Sequence, residues 1–159
     1  MSNNTEPLFG IATLEQVSDM SGKQHLQAII DGALPAPPIA RTLSFRMVEV
    51  GDGEVLFEAT PGPELLNPMG GVHGGWALTL IDTVTGCAAH STLPAGVGYA
   101  SIETKANFSR PIKADTGLVR AEGRVVSKGR TIISAEGKII DREGRVLAHG
   151  TSTVMVLPR

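Results

Sequence analysis

The stretch HGGWALTLID, residues 73–82, decides the fold of this protein. From Glu64 to Glu103 the chain carries no Lys, no Arg and no carboxylate except Asp82, so a single charge lies in a long apolar run. At about 100° per residue, a helix through this run collects its apolar side chains on one stripe. The stripe consists of Ala77, Leu80, Ile81, Val84 and Ala88. We expect this side to face a sheet and Asp82 to lie on the opposite side.

The side of the helix that carries Asp82 is not a typical solvent-facing surface. Its residues are small or apolar and suit close contact with another protein surface: Gly75, Leu78, Thr79, Thr85, Gly86 and Ala89. We therefore expect the helix to be covered on both sides, with Asp82 buried or nearly so. A buried carboxylate needs a specific partner. Asp82 is then either a functional carboxylate or an acceptor of hydrogen bonds across an interface.

Strand patterns lie on both sides of this helix. Period-two alternation in residues 42–50 and 54–59, joined by the turn sequence GDG, predicts a hairpin. After the helix, four further strand-like runs cover residues 99–111, 117–127, 131–141 and 145–157. Two of their joints, KGR and REG, are short enough for tight hairpins. Strands and helices do not alternate, so the pattern predicts an α+β domain with one antiparallel sheet and one principal helix.

The N-terminal region has a different pattern. Residues 13–31 have helical spacing, with Thr13 and Gln16 suited to cap the start, and predict one surface helix or two short ones. Residues 34–40, LPAPPIA, predict a stiff extended connector that is neither helix nor central strand. We divide the chain into a segment of residues 1–36 and a domain of residues 37–159.

Composition excludes several classes of function. A net charge of -2 and only 4% aromatic residues argue against a nucleic-acid partner. The single Cys87 cannot form an internal disulfide, and the first ten residues lack the basic and apolar regions of a signal peptide. These features predict a cytoplasmic protein without a membrane segment. The four histidines are scattered along the sequence and predict no metal site.

The start of the central helix is rich in glycine. Gly70, Gly71, Gly74 and Gly75 surround His73. Free N–H groups and the positive end of the dipole make a helix N-terminus suitable for an anion or a developing oxyanion. A tight turn is the other explanation of such a sequence.

Three segments together carry a family resemblance: residues 66–82, LNPMGGVHGGWALTLID; residues 101–117, SIETKANFSRPIKADTG; and residues 125–141, VVSKGRTIISAEGKIID. They resemble the hotdog-fold acyl-CoA thioesterases, specifically the phenylacetate-pathway (PaaI-like) type, from about Pro37 to the C-terminus. The resemblance implies an antiparallel sheet wrapped around a long central helix, with an extra N-terminal helical segment in this chain. It also implies pairing of two subunits through their helices and sheets.

The resemblance also implies roles for individual residues. Asp82 would be the catalytic carboxylate, acting as nucleophile or as general base for water. The backbone N–H of Gly74 would polarise the thioester carbonyl, and Asn67 and His73 would line the same site. Ser101 matches a serine that holds the hydrolytic water in some members.

The substrate implied is an acyl-CoA, with coenzyme A as part of the substrate and no separate cofactor. Gly75 would contact the substrate beside Gly74. Coenzyme A carries phosphates, for which Arg110 and the turn of Lys128, Gly129 and Arg130 offer cations and backbone amides. The acyl group is expected to be aryl-acetyl or medium-chain. The alternative functions are a non-catalytic acyl-CoA-binding hotdog protein, a hydratase or dehydratase on the same fold, and a structural oligomer.

Helix geometry places His73 and Asp82 about 13 Å apart along the axis and on nearly opposite sides. They cannot both touch one thioester within one chain. We therefore expect a homodimer with two shared sites, each taking Asn67, His73 and Gly74 from one chain and Asp82 from the other. A dimer of dimers is the expected larger assembly.

Overall fold

The computed structural model describes residues 8–157. Its helices are α1 (Leu14–Val17), α2 (Gly22–Ile30), α3 (Pro38–Thr42) and α4 (Gly74–Ser91), with a 3-10 turn at Pro63–Leu65. Its strands are β1 (Phe45–Val50), β2 (Glu54–Ala59), β3 (Gly98–Phe108), β4 (Val119–Lys128), β5 (Ile132–Ile140) and β6 (Val146–Leu157). No helix among these residues has the length and apolar character needed to cross a membrane. Most of the sequence used for the signal-peptide expectation, residues 1–7, lies outside the described part.

The six strands form one antiparallel sheet in the order β1-β2-β4-β5-β6-β3. The predicted hairpins β1–β2, β4–β5 and β5–β6 are confirmed. Strand β3 does not pair with β4, which follows it in sequence. It crosses to the far edge and pairs with β6, from Gly98 opposite Leu157 to Phe108 opposite Ala148. The α+β architecture, with the sheet around one long helix, is therefore confirmed.

The predicted apolar stripe of α4 faces the sheet. Every residue of the stripe is at most 1% exposed. The sheet meets the helix along three glycines in register on β4, β5 and β6: Gly123, Gly137 and Gly150. A Cβ at Gly123 would lie 2.2 Å from the carbonyl oxygen of Val84, and one at Gly137 would lie 2.8 Å from the Val84 side chain. The glycine row, as we call these three residues, lets α4 approach the sheet backbone closely.

The other side of α4 is only partly as predicted. Thr85, Gly86 and Ala89 are buried within this chain itself, and a Cβ at Gly86 would lie 3.0 Å from the ring of Tyr99. The C-terminal half of α4 is therefore covered on this side as expected, but by this chain's own β3 and not by another protein surface. Tyr99 comes from β3, whose place in the sheet the sequence pattern does not reveal. Asp82 is half-buried, less than expected.

The N-terminal region forms two helices, confirming one of the two alternatives. Both begin with a capping box, the first of them between Thr13 and Gln16 as predicted. Helix α2 packs on α4 and β1, and its Leu26 belongs to the same apolar core as the stripe of α4. Gly22 is the first residue of α2, where a Cβ would lie 1.8 Å from the carbonyl oxygen of His90.

The connector prediction was wrong at its C-terminal end. Helix α3 begins at Pro38, so residues 38–40 of LPAPPIA are helical. Proline fits the first turn of a helix because the N–H that it lacks has no partner there. Before this point, residue Ala36 pairs with Phe9 in an isolated parallel bridge. The proposed boundary between residues 36 and 37 remains a prediction.

Two histidines separated in sequence meet where α2 crosses the end of α4. His90 Nε2 and His25 Nδ1 lie 3.4 Å apart, and His90 also packs against the ring of Tyr99. The Nδ1 atom of His90 is buried and has no hydrogen-bond partner among the described residues. Burial, and then the proximity of His25, lower the pKa of His90 from 6.5 to about 4. Burial also lowers the pKa of His25.

We expect the free energy of unfolding to fall as the pH drops from 6.5 towards 4. Between the unfolded and folded pKa values of His90 the unfolded chain binds the additional proton, so stability rises with pH there, by about 1.4 kcal/mol per pH unit for one such group. Above pH 6.5 this contribution is fully present. Urea unfolding at a series of pH values measures the slope. His90→Gln should flatten it, whereas the same change at the exposed His149 should leave it unaltered. An equal slope in all three proteins would contradict the assignment.

Candidate active site

The loop before α4 is folded by Asn67. Its Oδ1 accepts hydrogen bonds from the N–H groups of Met69 at 2.9 Å and Gly71 at 3.3 Å. Its own N–H donates to the Gly71 carbonyl at 2.7 Å. Gly70 has a φ of +81°, in the left-handed region that glycine adopts without a steric penalty. The amide oxygen of Asn67 is thus committed to the loop, while its Nδ2 is not part of these contacts.

His73 is the N-cap of α4. Its Nδ1 accepts a hydrogen bond from the Gly75 N–H at 2.9 Å, and its own N–H donates to the Leu65 carbonyl at 2.8 Å. Because Nδ1 is an acceptor, the neutral ring carries its proton on Nε2. The side chain is otherwise exposed at the surface. A donor at Nε2 is therefore available beside the helix start.

Gly74 is the first residue of α4. Within residues 8–157 its N–H donates to no acceptor, in contrast to the N–H groups of His73 and Gly75. The ring of Phe108 covers its Cα, and a Cβ there would lie 3.1 Å from that ring. A free amide at the positive end of an 18-residue helix is suited to bind an oxygen that gains negative charge.

A cavity of about 340 Å³ opens beside the helix start. It is lined by Leu43, Glu64, Leu65, Leu66, His73, Gly75, Trp76 and Thr79. Trp76 is 3% exposed, and its Nε1–H donates to the Leu43 carbonyl at 2.9 Å, which fixes the ring. The cavity is mainly apolar, with His73 at its polar side.

Asp82 lies away from this cavity, in the middle of α4. Its Oδ1 accepts a hydrogen bond from the Thr104 hydroxyl on β3 at 2.7 Å. Sequence reasoning did not identify Thr104, because it depends on β3 packing against α4. Ser101, three residues earlier on the same strand, is exposed beside an irregularity in the β3–β6 register.

The predicted phosphate-binding residues occupy opposite ends of α4. Arg110 belongs to the N-terminal end, because Ile112 nearby accepts a hydrogen bond from the Val72 N–H; the Arg110 guanidinium donates to the Val146 carbonyl at 2.8 Å. Lys128 belongs to the C-terminal end, where its Nζ donates to the carbonyl of Thr92 at 2.5 Å.

Lys128 is followed by a turn closed by a hydrogen bond of 2.7 Å from the Gly129 N–H to the Ile132 carbonyl. Arg130 is exposed in this turn. The structure therefore groups Asn67, His73, Gly74 and Gly75 at one end of α4. It separates them from Asp82 and from the turn of residues 128–130.

A larger concavity of about 900 Å³ lies on the outer face of the sheet. Its walls include the ion pairs Lys138–Glu122 and Arg124–Glu136, and it contains none of the predicted site residues. We therefore place the candidate site at the smaller cavity. In the described part of the chain, no three His, Cys, Asp or Glu side chains converge as metal ligands would.

Comparison with known proteins identifies the family. The family described as "Thioesterase superfamily" matches residues 69–148, half of the chain, from the loop before α4 into β6. The chain belongs to the thioesterase superfamily, and it is a thioester hydrolase with the hotdog fold.

Individual relatives agree with this assignment. Acyl-coenzyme A thioesterase 13 of Homo sapiens is 25% identical over 132 residues, which cover 82% of this chain and 93% of that protein. The structure of a phenylacetic acid degradation-related protein from Ralstonia eutropha JMP134 is 28% identical, with a TM-score of 0.74, covering 82% of this chain and 98% of that one. A Streptococcus mutans UA159 protein, solved bound to acetyl CoA, is 26% identical with a TM-score of 0.66, covering 73% and 90%. The predicted likeness to the phenylacetate-pathway type is confirmed.

Substitutions at Asn67 should show whether the loop before α4 depends on the side-chain oxygen of this residue. Asn67→Asp keeps an oxygen acceptor for the N–H groups of Met69 and Gly71, whereas Asn67→Ala removes it. We expect the alanine variant to lose about 1–2 kcal/mol of stability, or about 2–4 °C of melting temperature for each kcal/mol, and the aspartate variant to lose little. Thermal unfolding measures this difference. Equal melting temperatures in the two variants would show that the loop does not depend on this acceptor.

Proposed function

We propose that the protein hydrolyses an acyl-CoA to the free acid and coenzyme A, with Asp82 as the catalytic carboxylate. The observation that carries the proposal is the Gly74 N–H at the start of α4, which has no acceptor among the described residues and lies between His73 and Gly75, two residues that line the cavity. This pairing offers a donor for a thioester carbonyl and a space for the acyl group attached to it. The relative that was solved with acetyl CoA supports coenzyme A as the carrier of the acyl group.

The reaction follows from these positions. The Gly74 N–H donates to the thioester oxygen as negative charge develops there, and the His73 Nε2–H and Asn67 Nδ2 lie on the same side to orient substrate or water. Asp82 then acts in one of two ways. In the first, it attacks the carbonyl carbon, the C–S bond breaks, and the acyl group forms a mixed anhydride with the carboxylate, which water hydrolyses to the free acid and the regenerated carboxylate. In the second, it takes a proton from a water that attacks the carbonyl carbon, and the C–S bond breaks as the free acid forms. The leaving thiolate of coenzyme A takes up one proton, from water in the first route and from Asp82 in the second, and becomes the thiol. Ser101 is proposed to help hold the hydrolytic water.

The cavity supports a compact acyl group. A volume of about 340 Å³ beside the buried Trp76 suits an aryl-acetyl or medium-chain acyl group, and Leu43, Leu65, Leu66 and Trp76 form its apolar side. A substrate of this class, together with a single cysteine, fits a cytoplasmic enzyme. Burial, and then Asp82, raise the pKa of Cys87 to about 12, so its thiol is unreactive at neutral pH.

The separation of Gly74 from Asp82 supports a shared site in a homodimer. Asp82 is eight residues further along α4, about 12 Å along its axis. Beside it lies the edge strand β3, where Ile102 and Phe108 are 56% and 58% exposed, and Leu78 on α4 is 37% exposed. A second copy packed antiparallel along this edge would cover these side chains and bring its own Gly74 to Asp82. A dimer of dimers is the proposed larger assembly.

The same arrangement gives the turn of residues 128–130 a role. Lys128 binds the end of α4, ten residues beyond Asp82 and so about 15 Å further along the axis. In a shared site this turn lies further along the axis of α4 than Asp82, in the direction away from the partner's helix. Coenzyme A carries its phosphates at the far end of its long pantetheine arm. Arg130 and the backbone of Gly129 are the proposed contacts for these phosphates from one chain, and Arg110, at the opposite end of α4, is the proposed contact from the second chain.

Replacement of Asp82 tests its role in the reaction. Asp82→Asn keeps the shape of the side chain and removes its charge and basicity. We expect a loss of turnover of at least ~100-fold, with substrate binding largely retained. Thiol release from a panel of acyl-CoAs measures both the activity and the acyl preference. A variant with most of the wild-type turnover would end the catalytic assignment, and wild-type protein that binds but never hydrolyses these thioesters would favour a non-catalytic role.

Co-expression of two inactive variants tests the shared site. One variant is Asp82→Ala, and the other combines Asn67→Ala with His73→Ala. Random pairing makes half of the dimers mixed, each with one intact site, so activity should return to about a quarter of the wild-type value. If each site were formed within one chain, both chains of a mixed dimer would be inactive and no activity would reappear.

A further inference from the structure

A pair of hydroxyl groups links Asp82 to the edge strand β3 and to its neighbour β6. Thr104 on β3 and Ser152 on β6 are directly opposite each other in the sheet register. The Thr104 hydroxyl donates to Asp82 Oδ1 at 2.7 Å, and its oxygen lies 3.0 Å from the Ser152 hydroxyl oxygen. Ser152 is 2% exposed and also donates to the Glu103 carbonyl at 2.9 Å. These contacts form a chain from the strand backbone to the carboxylate.

The hydrogens that are present decide which group donates in the hydrogen bond between Thr104 and Asp82. An ionised carboxylate has no hydrogen, so the Thr104 hydroxyl must be the donor to Asp82. The Ser152 hydrogen is then shared between the Thr104 oxygen and the Glu103 carbonyl. A donor to a charged acceptor makes a shorter and stronger bond than a neutral pair does, and a donor chain strengthens it further. Oδ1 is thereby occupied and Oδ2 remains for substrate or water.

We propose that Thr104, supported by Ser152, is a positioning residue that orients Asp82 for the reaction. The proposal rests on the catalytic role of Asp82 proposed above. Both functions of Asp82, attack on carbon and acceptance of a proton, require one carboxylate oxygen that is free and correctly aimed. The Thr104 hydroxyl holds the other oxygen in place from the same chain as Asp82. A shared site therefore receives its carboxylate already oriented before the second subunit contributes the Gly74 N–H.

A purely structural role would have different consequences. Strands β3 and β6 are already joined by a backbone ladder from residue 98 to residue 108, so the hydroxyl pair is not needed to hold them together. The Thr104 hydroxyl contacts the helix through the Asp82 carboxylate. Removal of a purely structural contact changes stability. Removal of the hydroxyl that orients the reacting carboxylate also lowers kcat while KM stays nearly unchanged.

The test compares Thr104→Val, which is similar in shape and lacks the hydroxyl, with Thr104→Ser, which retains it. We expect the valine variant to lose about 10-fold in kcat, with KM within about twofold of wild type. The serine variant should recover most of the activity, because it retains the hydroxyl that contacts Asp82. Thr151→Val, an exposed change on β6, is the matched control and should behave as wild type.

Several results would overturn the proposal. They are a valine variant with wild-type kcat, a valine variant whose KM rises while kcat is unchanged, or a loss of kcat that the serine variant does not restore. If Thr104→Val does not fold, Ser152→Ala provides the same readout, with a smaller expected change in the same direction.

Asp82→Asn distinguishes a failure of the positioning role of Thr104 from a failure of the catalytic role of Asp82. If that variant is inactive while Thr104→Val is unaffected, only the positioning role fails. If it retains turnover, the catalytic role and the positioning role fail together. Because Thr104 acts through Asp82, the double variant Asp82→Asn, Thr104→Val should be no less active than Asp82→Asn alone. An additional 10-fold loss in the double variant would contradict the positioning role.

Discussion

The close contact between α4 and the sheet is the constraint on which the rest of the structure depends. The backbone of Val84 rests against Gly123, where even a methyl group would have no room. At that distance the sheet can wrap around the helix and exclude water from its entire apolar stripe. The hydrophobic effect supplies the driving force, while the glycine row removes the steric barrier to close packing. The far edge of the wrapped sheet is β3, which brings Thr104 to the side of the helix opposite the stripe.

One helix thus serves three purposes along its length. Its first residue offers a free amide, its middle holds the oriented carboxylate, and its end is closed by Lys128 and by the packing of His90 against His25 and Tyr99. The amide and the carboxylate are too far apart to act on the same thioester. A rigid helix cannot bend to bring them together, since its interior is fixed by the sheet. The geometry of a single chain therefore favours a second copy as the source of the missing group.

The outer face and the β3 edge of the sheet differ in the kind of side chain that they expose. Its outer face carries cross-strand ion pairs such as Arg46–Glu58 and Arg124–Glu136, which are compatible with water. The edge at β3 instead exposes Phe108 near the start of α4 and Ile102 near its middle. Apolar side chains at an open strand edge are unfavourable in water and favour pairing with another chain. The proposed dimer therefore uses this edge and not the outer face.

The sequence by itself determined the elements and their class. Periodicity located the hairpin of β1 and β2, the four later strands and the apolar stripe of α4, because local alternation records which side of an element is buried. The segments of residues 66–82, 101–117 and 125–141 resembled the thioesterase family closely enough to indicate it. Helix geometry then showed that His73, at the start of the helix, and Asp82, in its middle, lie far apart. Local pattern failed at Pro38, where proline starts a helix instead of preventing one.

Only the tertiary structure decided what lies against each side of α4. The sequence pattern allows strand β3 to pair with any of several strands. Its pairing with β6 depends on contacts between residues far apart in sequence, which no local pattern encodes. That choice covers Gly86 with Tyr99, leaves Asp82 half-buried and provides Thr104 as its partner. The meeting of His25 with His90 has the same origin, since α2 reaches α4 only once the core has formed. Contacts between elements are set by the packing of the whole chain. For that reason the candidate site residues could be named from the sequence, whereas the side chains that contact them could not.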